Sequence, residues 1–293
     1  MKDTILFGDC RKTISTITEP VKMCVTSPPY YGLRDYGGEE NQIGMEESPE
    51  KYVDQLVEVF RNVREVLTDD GTLWLNIGDS YYNYRSDGNY PKQTVSKTRQ
   101  DLPTKTPVRG NKLEGYKSKD LIGIPWLLAF ALRKDGWYLR QDIIWNKPNP
   151  MPESVKDRCT KSHEYIFLLS KSKNYYYDNE AIKEPTKESE TGSYSGVTKG
   201  NTTKNKRSVW SVNKKPYKGA HFATFPPELI EPCIKAGSQK GDIILDPFIG
   251  SGTTAMVAKS LGRHYIGCEL HESYNDLIQN RVSQYTINLE DFV

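Results

Sequence analysis

Asp242-Ile243-Ile244-Leu245-Asp246-Pro247-Phe248-Ile249-Gly250-Ser251-Gly252-Thr253-Thr254 is the stretch that decides how this chain folds. Apolar residues run as a strand into Asp246, glycines make a turn, and the pattern continues as a helix over Thr253–Leu261. A second strand, Tyr265–Cys268, ends in Glu269, and a last helix spans about Ser273–Tyr285. Strand, glycine turn, helix, strand and terminal acid make a nucleotide-binding βαβ unit. In such a unit the glycines let the backbone approach a ligand, and the acid accepts from ribose hydroxyls.

Two nucleotide classes fit this unit. Gly250-x-Gly252-x-x-Ala255 loosely matches the dinucleotide fingerprint, which keeps an NAD-type oxidoreductase open. No lysine follows Gly252, so a phosphate-binding P-loop is excluded. The acid of Asp246-Pro247-Phe248 stands before the glycines, where it suits a cationic ammonium better than a pyrophosphate.

A second informative stretch, Thr26-Ser27-Pro28-Pro29-Tyr30, closes the apolar run that starts at Val21. Two prolines remove N–H donors and leave the Pro28 and Pro29 carbonyls pointing outward. Ser27 adds a hydroxyl and Tyr30 a flat face. The turn suits a planar heterocycle with an exocyclic amine, which would have to leave a duplex stack to reach it. Alone, the same residues also read as a proline-capped strand end.

The chain has 293 residues, enough for a large α/β domain. Five scattered cysteines, never spaced C-x-x-C, argue against a disulfide framework or zinc site and for a reducing cytosol. The N-terminus is strand-like and no signal peptide, and the apolar run Ile122–Leu132 is too short to span a bilayer, so a soluble cytoplasmic protein is expected. The overall charge of +2 hides a segregation: Lys92–Lys119 carries a net +6, Ser195–Gly219 a net +7, and the remainder −11. Such basic, polar segments suit a polyanion, although solvated loop lysines give the same pattern.

Other elements follow from periodicity and caps. Thr4–Phe7 reads as a strand ending in Gly8-Asp9-Cys10. Ser48-Pro49-Glu50 starts a helix whose apolar positions run Val53, Leu56, Val57, Phe60, Val63 and Leu67, and Asp70-Gly71 ends it. Strands are expected at Thr72–Ile77, Trp137–Trp145 and Glu164–Ser170, and helices at Pro125–Lys134 and Glu228–Ala236. Residues from about Tyr81 to Ser118, and Lys183–Gly219, read as long loops. Trp210, among the lysines of the second, either stacks on bases or pins the loop to the protein.

The pair Thr-Ser-Pro-Pro-Tyr and Asp-Pro-Phe-x-Gly-Ser-Gly-Thr, in that order, resembles the β class of DNA amino-methyltransferases that use S-adenosyl-L-methionine. The resemblance implies a circularly permuted Rossmann-like methyltransferase fold: one α/β domain over residues 1–293, with a mostly parallel seven-stranded sheet and helices on both faces. Basic DNA-facing insertions would occupy about 82–119 and 183–219, the latter the target-recognition region. It implies that Asp246, Phe248, Gly250, Gly252 and Thr253 line the cofactor, that Glu269 holds the ribose and that Asp9 lies near the adenine. His221-x-Ala223-x-Phe225-Pro226 would close over the methionine end. Ser27, Pro28, Pro29 and Tyr30 would hold the flipped base. Lys147, Lys199, Lys204, Lys206, Arg207, Trp210, Lys214 and Lys215 would face double-stranded DNA. No metal is implied. A separate restriction endonuclease is the implied cognate partner.

The chemistry needs no cysteine nucleophile, and Cys233 falls inside a predicted helix, which speaks against methylation of cytosine carbon 5. Family members with Ser at the first position of the turn are mostly cytosine-N4 enzymes, and those with Asp mostly adenine-N6. A hydroxyl both accepts from the amine and donates to a ring nitrogen, whereas an ionised Asp only accepts. Cytosine N4 is therefore expected, with adenine N6 the alternative. An NAD-type oxidoreductase and a catalytically inactive DNA-binding protein are the readings from other classes.

Overall fold

The computed structural model describes residues 1–33, 42–82, 113–186, 202–214 and 225–290, the last seven of these as backbone only. Its elements, in chain order, begin with β1 (Thr4–Phe7), α1 (Cys10–Thr13), β2 (Val21–Thr26), α2 (Pro49–Val66), β3 (Leu67–Ile77) and α3 (Ile124–Lys134). They continue with β4 (Tyr138–Asn146), β5 (His163–Ser170), the two-residue strands β6 (Glu184–Pro185) and β7 (Thr203–Lys204), and β8 (Val209–Ser211). The chain closes with α4 (Pro227–Gly237), β9 (Ile243–Asp246), α5 (Thr253–Ser260), β10 (His264–Glu269) and α6 (Asn275–Glu290).

Eight strands form one sheet in the order β1-β10-β9-β2-β3-β5-β4-β8. Every pairing is parallel except those of β5, which runs antiparallel to both β3 and β4. The C-terminal unit β9-α5-β10 inserts between β1 and β2. It sets Leu245 beside Cys24 and brings the two motif-bearing strand ends together from opposite ends of the chain.

Side chains alternate across the sheet and build two cores. Leu73, Leu75, Ile77, Phe167 and Leu169 face α2 and α3, while Met23, Val25, Trp74, Ile166 and Leu168 face α4, α5 and α6. Helix α2 starts as its N-terminal cap and periodicity direct, but its expected end at Asp70-Gly71 is corrected, since Leu67, Asp70 and Gly71 lie within β3. The Ser48 side chain accepts from the Lys51 amide, Pro49 opens the first turn, and Tyr52, Leu56, Val59, Phe60 and Val63 are fully buried. The helix stops at Val66 because Leu67 already pairs with Val21 in the sheet, ahead of the irregularity that resumes pairing at Met23–Thr72.

The expected seven strands are present, and an eighth joins them from a segment read as loop. β8 adds to β4 in parallel register, with Trp145 opposite Trp210. Its anchor is Trp210, which is 6% exposed and donates from Nε1 to the Arg207 carbonyl at 2.6 Å. Trp210 therefore pins this segment to the protein, and its expected place on the DNA face is corrected: an indole this deep has no face left for a base. The first basic insertion lies largely outside the described residues. Its ends are tied by the Tyr81–Leu121 bridge and by the Leu113 amide donating to the Tyr82 hydroxyl.

A stacking residue on a free loop would contribute little to folding, whereas truncating a buried aromatic costs about 3 kcal/mol or more. Trp210→Ala is therefore expected to lower stability by about that amount in urea denaturation, with DNA absent.

Candidate active site

All the strand ends that carry the motifs open on one edge of the sheet. β2 delivers Ser27-Pro28-Pro29-Tyr30 there, next to the turn after β9. Pro29 does not present its carbonyl outward as expected: that oxygen accepts from the Tyr52 hydroxyl of α2 at 2.8 Å. The contact fastens the turn to the helix and leaves Pro28 as the outward acceptor. No hydrogen bond to the Pro28 carbonyl occurs among the described residues. Tyr30 donates to Glu164 Oε2 at 2.7 Å and lies 3.4 Å from Asn76 Oδ1. Burial and then the Glu164 charge hold its phenol strongly protonated, and the nearby Ser27 side chain pulls the other way. Gly78 makes room for this pairing. A Cβ there would lie 2.7 Å from Tyr30 Cε2 and 3.2 Å from the Glu164 side chain.

Asp246 is 1% exposed, and both its oxygens are engaged. Oδ1 accepts from Thr26 Oγ1 at 2.5 Å and from the Phe248 amide at 3.0 Å, and Oδ2 accepts from Thr254 Oγ1 at 2.6 Å. The expectation of a free carboxylate facing an ammonium is corrected to an internal post joining β2, β9 and α5. Burial pushes its pKa up to about 6 against the pull of those three bonds. Gly250 and Gly252 both have positive φ, at 50° and 80°. At Gly252 a Cβ would also meet Ile278 of α6 at 3.0 Å, so packing as well as turn geometry demands glycine.

Glu269 ends β10, and its Oε1 accepts from the His271 amide at 3.1 Å. Burial raises its pKa, and the amides of His271, Gly250 and Leu270 pull the other way. The Gly8 amide donates to the Glu269 carbonyl at 2.8 Å, which brings the Asp9 turn to the same place. Asp9 itself is occupied: it caps α1 through the Arg11 amide at 3.0 Å and binds the Arg11 guanidinium at 2.7 Å. Burial pushes its carboxyl up, but the Arg11 contacts outweigh that and hold it below its ordinary value. Asp9 is thus a charged cap bordering the site. Phe225 is buried in the core beneath α4, and Pro226 caps that helix. His221 and Ala223 lie outside the described residues.

A family model described as DNA methylase matches residues 21–280. The chain belongs to this DNA methylase family. It is an S-adenosyl-L-methionine-dependent DNA amino-methyltransferase of the β class. Relatives include the type II methyltransferase M.SmaI of Serratia marcescens, 50% identical over 95% of this chain and 90% of its own length. Another is the type II methyltransferase M.Cfr9I of Citrobacter freundii, 49% identical over 98% of this chain and 89% of its own. Among solved structures, the PvuII DNA methyltransferase (cytosine-N4-specific) shares the fold at 18% identity with a TM-score of 0.66, over 96% of this chain and 86% of its own. A putative DNA modification methylase from Thermus thermophilus, complexed with S-adenosyl-L-methionine, does so at 24% identity with a TM-score of 0.62, over 96% of this chain and 93% of its own.

The residues of the methylase fit that cofactor. Thr253 Oγ1 is buried with no partner at the head of α5, directly after the glycine turn. An orphaned hydroxyl there is what a polar ligand would satisfy.

Several residues expected on the DNA face do other work in the methylase. Lys147 is buried, its ammonium paired with Glu164 Oε1 and 4.2 Å over the Trp145 ring. Its expected DNA contact is corrected, since desolvating a lysine demands a partner inside the protein. Lys204 and Arg207 share Glu184 at 3.7 and 3.9 Å, and Lys206 lies 5.0 Å over Trp210. The Lys214 backbone is bracketed by Asn149 at 2.9 and 3.0 Å. Lys199 and Lys215 lie outside the described residues. Sequence reasoning missed Thr26, Tyr52, Asn76, Gly78, Glu164 and Thr254. Only Asn76 and Glu164 left a signal, as polar residues at the ends of apolar strand runs.

Two measurements follow from this geometry. Thr253→Val loses no internal hydrogen bond, so stability should hold while cofactor affinity in calorimetry falls about tenfold, the worth of one hydrogen bond. For Asp246, the folded carboxyl titrates near 6 against 3.8 unfolded, so the folded state holds the extra proton between those values. Wild-type stability relative to Asp246→Asn should therefore rise by about 3 kcal/mol as pH falls from about 7 to about 3, then level off.

Proposed function

We propose that this methylase modifies cytosine N4 in double-stranded DNA, with Ser27, Pro28 and Tyr30 holding the flipped base. The observation that carries this reading is Ser27 itself, a hydroxyl at the head of a turn whose second proline carbonyl is already consumed by Tyr52. One hydroxyl oxygen and one carbonyl oxygen remain, and an exocyclic amine has two hydrogens.

The amine is a poor nucleophile because its lone pair is delocalised into the ring. Accepting its hydrogens at Ser27 Oγ and the Pro28 carbonyl favours a pyramidal nitrogen and returns the lone pair. Bound S-adenosyl-L-methionine supplies a methyl group on a positively charged sulfur. Glu269 would hold the ribose, with Thr253, Phe248 and the Gly250–Gly252 turn around the rest. Catalysis then rests on positioning and on acceptors fixed before the base arrives. A neutral Ser27 also sets no negative charge against the lone pair of the ring nitrogen, which suits cytosine N3 beside N4. Adenine presents the same pair at N1 and N6, and is the second reading.

We further read residues 1–293 as one catalytic domain with 183–219 as its target-recognition region, acting in the cytoplasm beside a separate restriction endonuclease. The relatives' naming as type II methyltransferases supports that setting.

Purified protein incubated with unmethylated DNA and methyl-labelled cofactor should place label in N4-methylcytosine, read by mass spectrometry of nucleosides. Ser27→Ala should reduce the rate about 10²-fold, as loss of a preorganised hydrogen-bonding group does. Label in N6-methyladenine would reverse the base assignment, and no label in DNA would overturn the reading.

A further inference from the structure

Beside the turn lies a buried ion pair that the transfer chemistry does not use. Lys147 follows β4 and Glu164 is the second residue of β5, so the antiparallel pairing of these strands brings both to the catalytic edge. The Glu164 side chain is 17% exposed and that of Lys147 only 7%. Lys147 is held in place by its amide donating to the Ser162 carbonyl at 2.7 Å and by the Trp145 ring beneath it. Trp145 in turn donates to the Val212 carbonyl at 2.8 Å. Glu164 gives one oxygen to Lys147 and the other to the Tyr30 hydroxyl.

Donor and acceptor counting gives this chain a direction. A carboxylate paired with an ammonium only accepts, so the Tyr30 proton must point at Glu164. The phenol oxygen is thereby left with its lone pairs on the side away from Glu164.

We propose that the Lys147–Glu164 pair is a positioning device that acts on Tyr30, fixing the place of its ring and hydroxyl in the base-holding turn. This rests on the reading of Ser27 and Tyr30 as base-holding residues. Lys147 and Glu164 act in this proposal through Tyr30, and their effect is on orientation. Glu164→Gln supplies an amide that donates as well as accepts, which frees the chain to run in either direction. The glycine at position 78 belongs to the same device, because any side chain there would push Tyr30 off Glu164.

The test combines kinetics with a readout that needs no turnover. Methylation rates are measured for Tyr30→Phe, Glu164→Gln and the double variant, with Lys147→Met/Glu164→Gln as the charge-neutral form that avoids a buried unpaired ammonium. In parallel, the Tyr30 resonance is followed in protein labelled at tyrosine Cζ and identified by its loss in Tyr30→Phe. Glu164→Gln, or the neutral pair if the single variant does not fold, should lower kcat about tenfold to a hundredfold with KM values changed less than about twofold. Its loss should not multiply with that of Tyr30→Phe, since both break one chain, and the Tyr30 resonance should move. Multiplying losses, an unmoved resonance, or a folded variant with wild-type kcat would overturn the proposal. Wild-type protein that labels no DNA would instead overturn the assigned reaction, and the Tyr30 resonance would still decide the chain.

Discussion

The hydrogen bond from Thr26 Oγ1 to Asp246 Oδ1 joins residues 220 positions apart, and the site depends on it. Thr26 ends the strand that carries the base-holding turn, and Asp246 ends the strand that carries the cofactor turn. A methyl transfer needs donor and acceptor held within a fraction of an ångström of the reacting geometry. Burying a carboxylate between the two strand ends is a costly way to fix that spacing, as its raised pKa shows. The cost is offset because Thr26, Thr254 and the Phe248 amide each donate to it, so neither oxygen faces apolar surroundings unmet. The catalytic turn, the glycine turn and the first turn of α5 thus share one buried anion.

The sheet topology explains how other groups reach the same edge. Seven parallel strands deliver their C-terminal ends there, which is how Glu269, Asp246 and Tyr30 meet. The antiparallel β5 delivers its N-terminal end instead, and so Glu164, the second residue of that strand, arrives there. An all-parallel sheet would bring a C-terminal residue, such as one near Ser170, to this point. The reversed strand gives the chain a carboxylate beside Tyr30, and the following antiparallel pairing gives that carboxylate its lysine.

How much of this was legible in the sequence depends on the range of the interactions. The nucleotide-binding unit, the N-terminal cap of α2 and the seven principal strands follow from local turn chemistry and periodicity, so Gly250, Gly252, Ser48 and Pro49 were readable where they stand. The roles of Asp246, Pro29 and Lys147 were not, because each is decided by a partner that only the fold supplies: Thr26, Tyr52 and Glu164. Trp210 shows the same limit. An aromatic in a basic, polar segment reads alike whether it is free or folded back, and what decides is that β4 offers an open edge for β8 to join. Gly78 could be read as a strand-end glycine, but not as the space through which Tyr30 and Glu164 meet.

These contacts also bear on why a tyrosine stands at position 30. The Tyr30 phenol has one proton, and Glu164, paired with Lys147, takes it. A phenylalanine would present the same flat face but leave Glu164 Oε2 without that donor, and a carboxylate buried beside an ammonium needs its remaining lone pairs met. Tyr30 and Glu164 are thus complementary choices. The carboxylate fixes the far end of the ring, Gly78 leaves the space in which the two meet, and the near end is fixed by the proline turn that carries it.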